Sequence, residues 1–159
     1  MKTTHRRIYA LTLLLLVAGV AGAEVNSAVN GVSYDGDGST TAFTFAFGVF
    51  ASSEVRVVLR LEATGAETVQ TENSDYTVAD NDGDGDYWDG TPGGTVTFTT
   101  APSTAYEVHI SRLPTLTQTT NIDGGYYVNL GAIEDAFDKL NCQIQYLRRL
   151  LYRAVLIPE

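Results

Sequence analysis

Four aspartates in the middle of the chain offer the residue types of a cation site. The segment DNDGDGDYWD places carboxylates at Asp80, Asp82, Asp84 and Asp86 and a glycine at its sixth position. Carboxylates at the first, third and fifth positions of such a loop can converge on Ca²⁺, which prefers oxygen ligands. The twelfth position, where a bidentate glutamate completes a calcium loop, is Thr91. Calcium binding is therefore one interpretation, and a solvated Asp/Gly turn that needs no ion is the other.

Catalytic chemistry has little support in the residue pattern. Beyond the first 23 residues the chain has one histidine, His109, in a predicted strand. A serine hydrolase needs a serine and an acid within hydrogen-bond reach of the histidine, and the sequence has no nucleophile elbow. The other carboxylates lie mainly in glycine-rich turns that would not fix their separation. We therefore predict that the protein is not an enzyme and holds no cofactor, unless the aspartate loop binds calcium.

The distribution of charge argues against nucleic acid as a partner. The chain has 159 residues, with 10 Lys and Arg against 19 Asp and Glu, for a net charge of −9. Three of the cations, Lys2, Arg6 and Arg7, precede residue 24, where there are no acids. The rest of the chain is therefore still more acidic, and phosphates would repel it. Cys142 is the only cysteine, so the chain has no internal disulfide and no cysteine metal cluster.

Residues 35–112 have the pattern of short β-strands. Three phenylalanines, Phe43, Phe45 and Phe47, alternate with small or polar residues, and valine or leucine alternates with other residues over 54–62. Such alternation places the apolar side chains on one face of a strand. Other short strands are predicted at 68–70, 76–79, 95–99 and 106–111. The predicted fold class is mainly β, a small antiparallel β-sandwich over 35–112 followed by a C-terminal α-helix.

The predicted helix, residues 132–157, carries the strongest periodic signal. Its apolar residues recur at alternating steps of four and three, a heptad repeat sustained over about three heptads. A narrow stripe of this kind is typical of a coiled coil, whereas a helix that covers its own domain usually has a broader apolar face. With Phe137 at position a, Cys142 falls at f, on the outward face. The predicted oligomer seam consists of Phe137, Leu140, Ile144, Leu147, Leu151 and Ala154.

Three further segments complete the predicted organisation. Residues 1–23 are similar to a signal peptide, with a basic start, an apolar run and an Ala-Gly-Ala ending at Ala23. Residues 24–34 are predicted to be an extended arm. Residues 113–131 are predicted to be an extended strap, with Asn129 placed to cap the helix.

Several blocks of sequence, in order, resemble a known family. They are YDGDGSTTAFTFAF at 34–47, DYTV at 75–78, GTVTFTTAP at 94–102 and RLPTLTQ at 112–118. Together with the closing helix, these blocks resemble the N-terminal virion-attachment, or adaptor, domain of podovirus-type (T7-like) phage tail fibres and tailspikes. The resemblance covers about residues 33–159. One departure is the insert that holds the aspartates, which is longer than the usual turn. Family members also usually continue past the helix into a shaft or receptor-binding domain.

The resemblance implies a structural virion protein located in the phage tail. Such a protein would be a homotrimeric adaptor that attaches a receptor-binding fibre to proteins of the tail tube or nozzle. The fibre could be a separate chain. An export leader is out of place there, because phage tails assemble in the cytoplasm.

Two alternatives stay open. One is an exported bacterial or prophage-derived subunit of an extracellular fibre or coat, cleaved after Ala23. The other is a secreted calcium-dependent binding domain that uses the aspartate loop.

Overall fold

A computed structural model describes residues 29–85, 87, 92–117 and 130–155. Outside the described residues lie the leader, residues 24–28 of the arm, Asp86, most of the strap with Asn129, and residues 156–159. The elements in chain order are β1 (Gly31–Asp35), β2 (Ala42–Phe45), a short 3-10 helix (Ser52–Glu54), β3 (Val55–Leu61), β4 (Glu67–Val69), β5 (Tyr76–Asp80), β6 (Gly94–Phe98), β7 (Tyr106–Arg112) and α1 (Leu130–Val155).

The strands form two antiparallel sheets, as the sequence predicted. One sheet has the order β1-β7-β3-β4 and the other the order β2-β6-β5. Every neighbouring pair of strands is antiparallel. The β3–β4 hairpin turns through Gly65, whose φ of 71° lies in the left-handed region that glycine adopts without strain. The mainly β fold class with a C-terminal helix is thus confirmed.

The core lies between the sheets. Phe43, Phe45 and Phe47 are all buried, because the strand alternation and its continuation point the three rings inward. The same cluster contains Val49, Val55, Val57, Tyr76, Val96, Phe98, Val108 and Ile110. Burial raises the pKa of Tyr76 to about 12. Its hydroxyl donates to the carbonyl oxygen of Val55 at 2.9 Å.

The outer face of the four-stranded sheet carries most of its polar side chains, and its register brings distant residues into rows. Ser33 pairs with His109, which pairs with Val58 on its other side. In the next row, Glu107 lies between Asp35 and Arg60, and Arg60 pairs with Glu67. Because side chains alternate between faces, the members of each row point the same way. From the C-terminal half of α1, Arg149 reaches Asn30 and Gly31 beside β1, and Arg153 pairs with Glu67 of β4.

Two boundaries differ from those predicted. Residues 31–34, predicted as part of the arm, belong to strand β1, because Val32 and Tyr34 pack against the core while the backbone pairs with β7. Helix α1 begins at Leu130, two residues before the predicted start. No helix among the described residues is long and apolar enough to cross a membrane.

Candidate functional site

The seam predicted on α1 is exposed in the single chain. Phe137, Leu140, Ile144, Leu147 and Leu151 each keep between 50 and 67% of their surface accessible. Ala154, the sixth predicted member, is also exposed. Exposed apolar surface on this scale is unusual for a monomer and typically marks an interaction surface. In the single chain, all six residues therefore share one exposed face of the helix.

The opposite face of α1 is the one that contacts the sandwich, and its contacts are polar. Asn30 donates its side-chain amide to the carbonyl oxygen of Gln145 at 3.2 Å. Near the helix end, Arg153 forms an ion pair with Glu67 at 2.8 Å. Gln143 donates to the carbonyl oxygen of Thr115 at 2.8 Å. The helix is thus held to its own domain by a face that leaves the seam outside.

Cys142 corrects one prediction. At heptad position f it was expected on the outward face, but its side chain is fully buried. The physical reason is that position f lies opposite the seam, and this is where the sandwich is. Arg112 donates to the Cys142 sulfur at 2.6 Å. Burial raises the pKa of the thiol, and the neighbouring Arg112 acts in the opposite direction.

Two buried charged residues at the junction were not found from the sequence. Arg112 is 3% exposed, and its guanidinium also lies 5.7 Å from the ring centroid of Phe47. Glu54 is 2% exposed, and its carboxylate accepts hydrogen bonds from the backbone of Phe50 and from Thr115. Arg112 ends β7 and Glu54 ends the 3-10 helix that precedes β3, so strand alternation no longer tells which way either side chain points. These contacts fix the chain where it leaves β7 toward the helix.

The aspartate loop brings three of its four predicted ligands together. One carboxylate oxygen from each of Asp80, Asp82 and Asp84 lies within 4.8 Å of the others. Asp86 lies outside the described residues. Asp80 also accepts the backbone N–H of Gly85 at 2.7 Å, and this hydrogen bond lowers the pKa of the Asp80 carboxyl. The geometry is compatible with a hard cation, and it is equally that of an Asp turn closed by its own backbone.

His109 has a serine neighbour, which the sequence did not indicate. Ser33 Oγ and His109 Nδ1 are hydrogen-bonded across the β1–β7 ladder. Among the described residues, no carboxylate forms a hydrogen bond with the other ring nitrogen, so the pair lacks the third member of a triad. Burial lowers the pKa of His109, and its neutral form is favoured.

The fold and the exposed seam together define a small β-sandwich module whose terminal helix presents an uncovered apolar face. No protein-family model matches the chain. Over 138 residues, or 85% of its length, the chain is 32% identical to the tail spike protein of Salmonella phage epsilon15. The match spans 12% of the length of that tail spike protein. This similarity relates the chain to phage tail proteins and supports the resemblance at that level.

Proposed function

We propose that this chain is a structural attachment module of a phage tail, and that it acts by assembly. In this proposal the β-sandwich docks on the tail, and α1 joins three copies and connects them to a receptor-binding part. The similarity to a tail spike protein supports the tail assignment. The single observation that carries the assembly mechanism is the exposed row of large apolar side chains on α1.

The arrangement of the helix favours a second copy of this chain as the occupant of the seam. The apolar row keeps a strict heptad spacing, which matches the knobs-into-holes packing of identical helices. The polar face already contacts the sandwich, so the helix can join copies without leaving its own domain. Three is the number of copies that the resemblance implies.

Burial of the seam would supply a substantial driving force for assembly. A fully buried Leu or Ile contributes about 1.5–3 kcal/mol relative to an exposed one. Five side chains that are about half exposed or more therefore offer roughly 5 kcal/mol per chain on burial. The entropy of association reduces the net value. Three heptads are a marginal length for a free coiled coil, but the contacts with the sandwich hold this helix in place before copies associate.

Substitution of Ile144 tests this proposal. Ile144→Asp would place a carboxylate from each copy inside the seam, where burial of an unpaired charge costs several kcal/mol. We expect light scattering to give the mass of three chains for the wild type and of one chain for the variant. Asn141→Asp, which adds the same charge at a neighbouring exposed position, should remain trimeric. An Ile144→Asp variant that keeps the wild-type mass would refute the seam.

The tail assignment has its own test. Antibody labelling of purified virions that encode this chain should place the label on the tail under the electron microscope. Label on the capsid, or its absence from the particle, would contradict the tail assignment and leave the test of self-assembly unaffected.

A further inference from the structure

A cationic cavity lies between α1 and the outer face of the four-stranded sheet, away from the seam. Its volume is about 750 Å³. Arg149 and Arg153 enter it from the helix, and Arg60, His109 and Ser33 from the sheet. One carboxylate, that of Glu67, also lines it. It is separate from the surface used for assembly, because these helix residues lie on the side of α1 that faces the sandwich.

The concentration of positive charge here is unusual for so acidic a chain. From residue 24 onward the sequence has seven Lys and Arg residues against 19 Asp and Glu. Three of the seven cations, Arg60, Arg149 and Arg153, line the cavity. Burial, the neighbouring Arg153 and a fourth cation, Arg56, all lower the pKa of the Arg149 guanidinium. The fold therefore gathers like charges that repel one another.

Only part of this charge is neutralised by the chain itself. Arg153 pairs with Glu67 at 2.8 Å, and Arg60 pairs with Glu107 at 3.3 Å. Arg149 donates to the carbonyl oxygen of Asn30 at 3.4 Å, and no carboxylate of the described residues lies within ion-pair distance of it. Its guanidinium rests over Gly31, where an added Cβ would come within 3.1 Å of it. A half-buried guanidinium without a carboxylate has unused donors in a site where water is partly excluded.

We propose that this cavity binds an oxyanion, a carboxylate or a phosphate, with Arg149 as its principal ligand and Arg60 and Arg153 beside it. A planar guanidinium forms paired, charge-assisted hydrogen bonds with either group. The anion comes from one of two sources: an acidic side chain of a docking protein segment or a free phosphate. Glu67 pairs with Arg153 and competes with the anion for it.

The helix supplies a matched pair of variants for the test. Arg149→Gln removes the ligand, while Arg148→Gln removes the same charge from the adjacent residue, which lies outside the cavity and stacks on Tyr152. Calorimetry would use two probes, pyrophosphate and a hexaglutamate peptide, in about 0.15 M salt to limit unspecific attraction. Circular dichroism would verify that each variant is folded.

We expect the wild type to bind at least one probe, Arg149→Gln to weaken binding by about tenfold or more, and Arg148→Gln to change it less than about twofold. Arg60→Gln, which alters only the sheet side, should also weaken binding and covers the case in which Arg149→Gln fails to fold. Binding of the peptide alone would assign the anion to a protein partner, and binding of pyrophosphate alone to free phosphate. No heat with either probe, or equal losses at Arg148 and Arg149, would overturn the proposal.

Discussion

Glu54 gives the sharpest test of how the sandwich holds the segment that leads to the helix. Its carboxylate is buried between the start of β3 and the chain that follows β7. One oxygen, Oε1, accepts both the backbone N–H and the hydroxyl of Thr115 at 2.9 Å. The other, Oε2, accepts the backbone N–H of Phe50 at 3.1 Å. Every hydrogen bond in this group needs an acceptor at residue 54.

Glu54→Gln preserves the shape of the side chain but turns one acceptor into a donor. If the amide oxygen keeps Thr115, the new NH₂ group faces the N–H of Phe50. A hydrogen bond to a charged group contributes about 1.5–3 kcal/mol, and an unpaired buried donor costs about 1–3 kcal/mol. Because these two costs overlap, we expect the free energy of unfolding to fall by about 2–4 kcal/mol.

Urea denaturation followed by circular dichroism measures this difference. The experiment is best done in the Ile144→Asp background, so that unfolding is not linked to association of copies. The matched control is Glu62→Gln, an exposed glutamate near the other end of the same strand, which should change stability by less than about 0.5 kcal/mol. An equally small effect of Glu54→Gln would refute the role assigned to the buried carboxylate.

Two further predictions concern His109 and Gly36. Burial holds the pKa of His109 below its usual value, so the unfolded chain binds the proton more readily than the folded chain. The histidine's contribution to stability is therefore complete above about pH 6.5 and is lost as the pH falls. His109→Gln should therefore lose less stability than the wild type between about pH 7 and pH 5, and parallel urea midpoints over that range would contradict this. At Gly36 an added Cβ would lie 2.3 Å from the carbonyl oxygen of Ser103 and 2.8 Å from that of Pro102. In thermal unfolding, Gly36→Ala should lower the free energy of unfolding by about 1–3 kcal/mol or more. The loss should exceed that of Gly38→Ala, where φ is +73° but no atom lies within 4 Å of an added Cβ. Equal losses of stability in the two variants would contradict the backbone clash at Gly36.

Much of the fold follows from periodicity in the sequence. Alternation of Phe43, Phe45 and Phe47 predicted a buried strand face, and the heptad spacing predicted the helix together with its apolar stripe. The part of β1 over 31–34 is predicted as arm instead, because only two apolar residues, Val32 and Tyr34, alternate there, too few repeats to indicate a strand.

The surroundings of the helix could not be predicted in the same way. Periodicity shows which side chains share a face of α1, but the face that meets the sandwich is chosen by long-range contacts such as those of Arg112 with Cys142. The cavity around Arg149 likewise depends on strand register, which brings Ser33, His109 and Arg60 from three strands under the helix. Neither arrangement leaves a local pattern in the sequence.

The most direct measurement of self-assembly through the seam is disulfide formation at position 147. In a parallel bundle with matched registers, the Leu147 side chains of neighbouring helices meet at position d, whereas Cys142 is buried against Arg112 on the opposite side. Mild oxidation of Leu147→Cys should give covalent dimers within the trimer that reductant reverses, while the oxidised wild type should give none. The parallel seam would be contradicted if the Leu147→Cys chains stayed uncrosslinked. It would also be contradicted if crosslinks formed only after Leu147→Cys was mixed with Phe137→Cys, the pairing that antiparallel helices require.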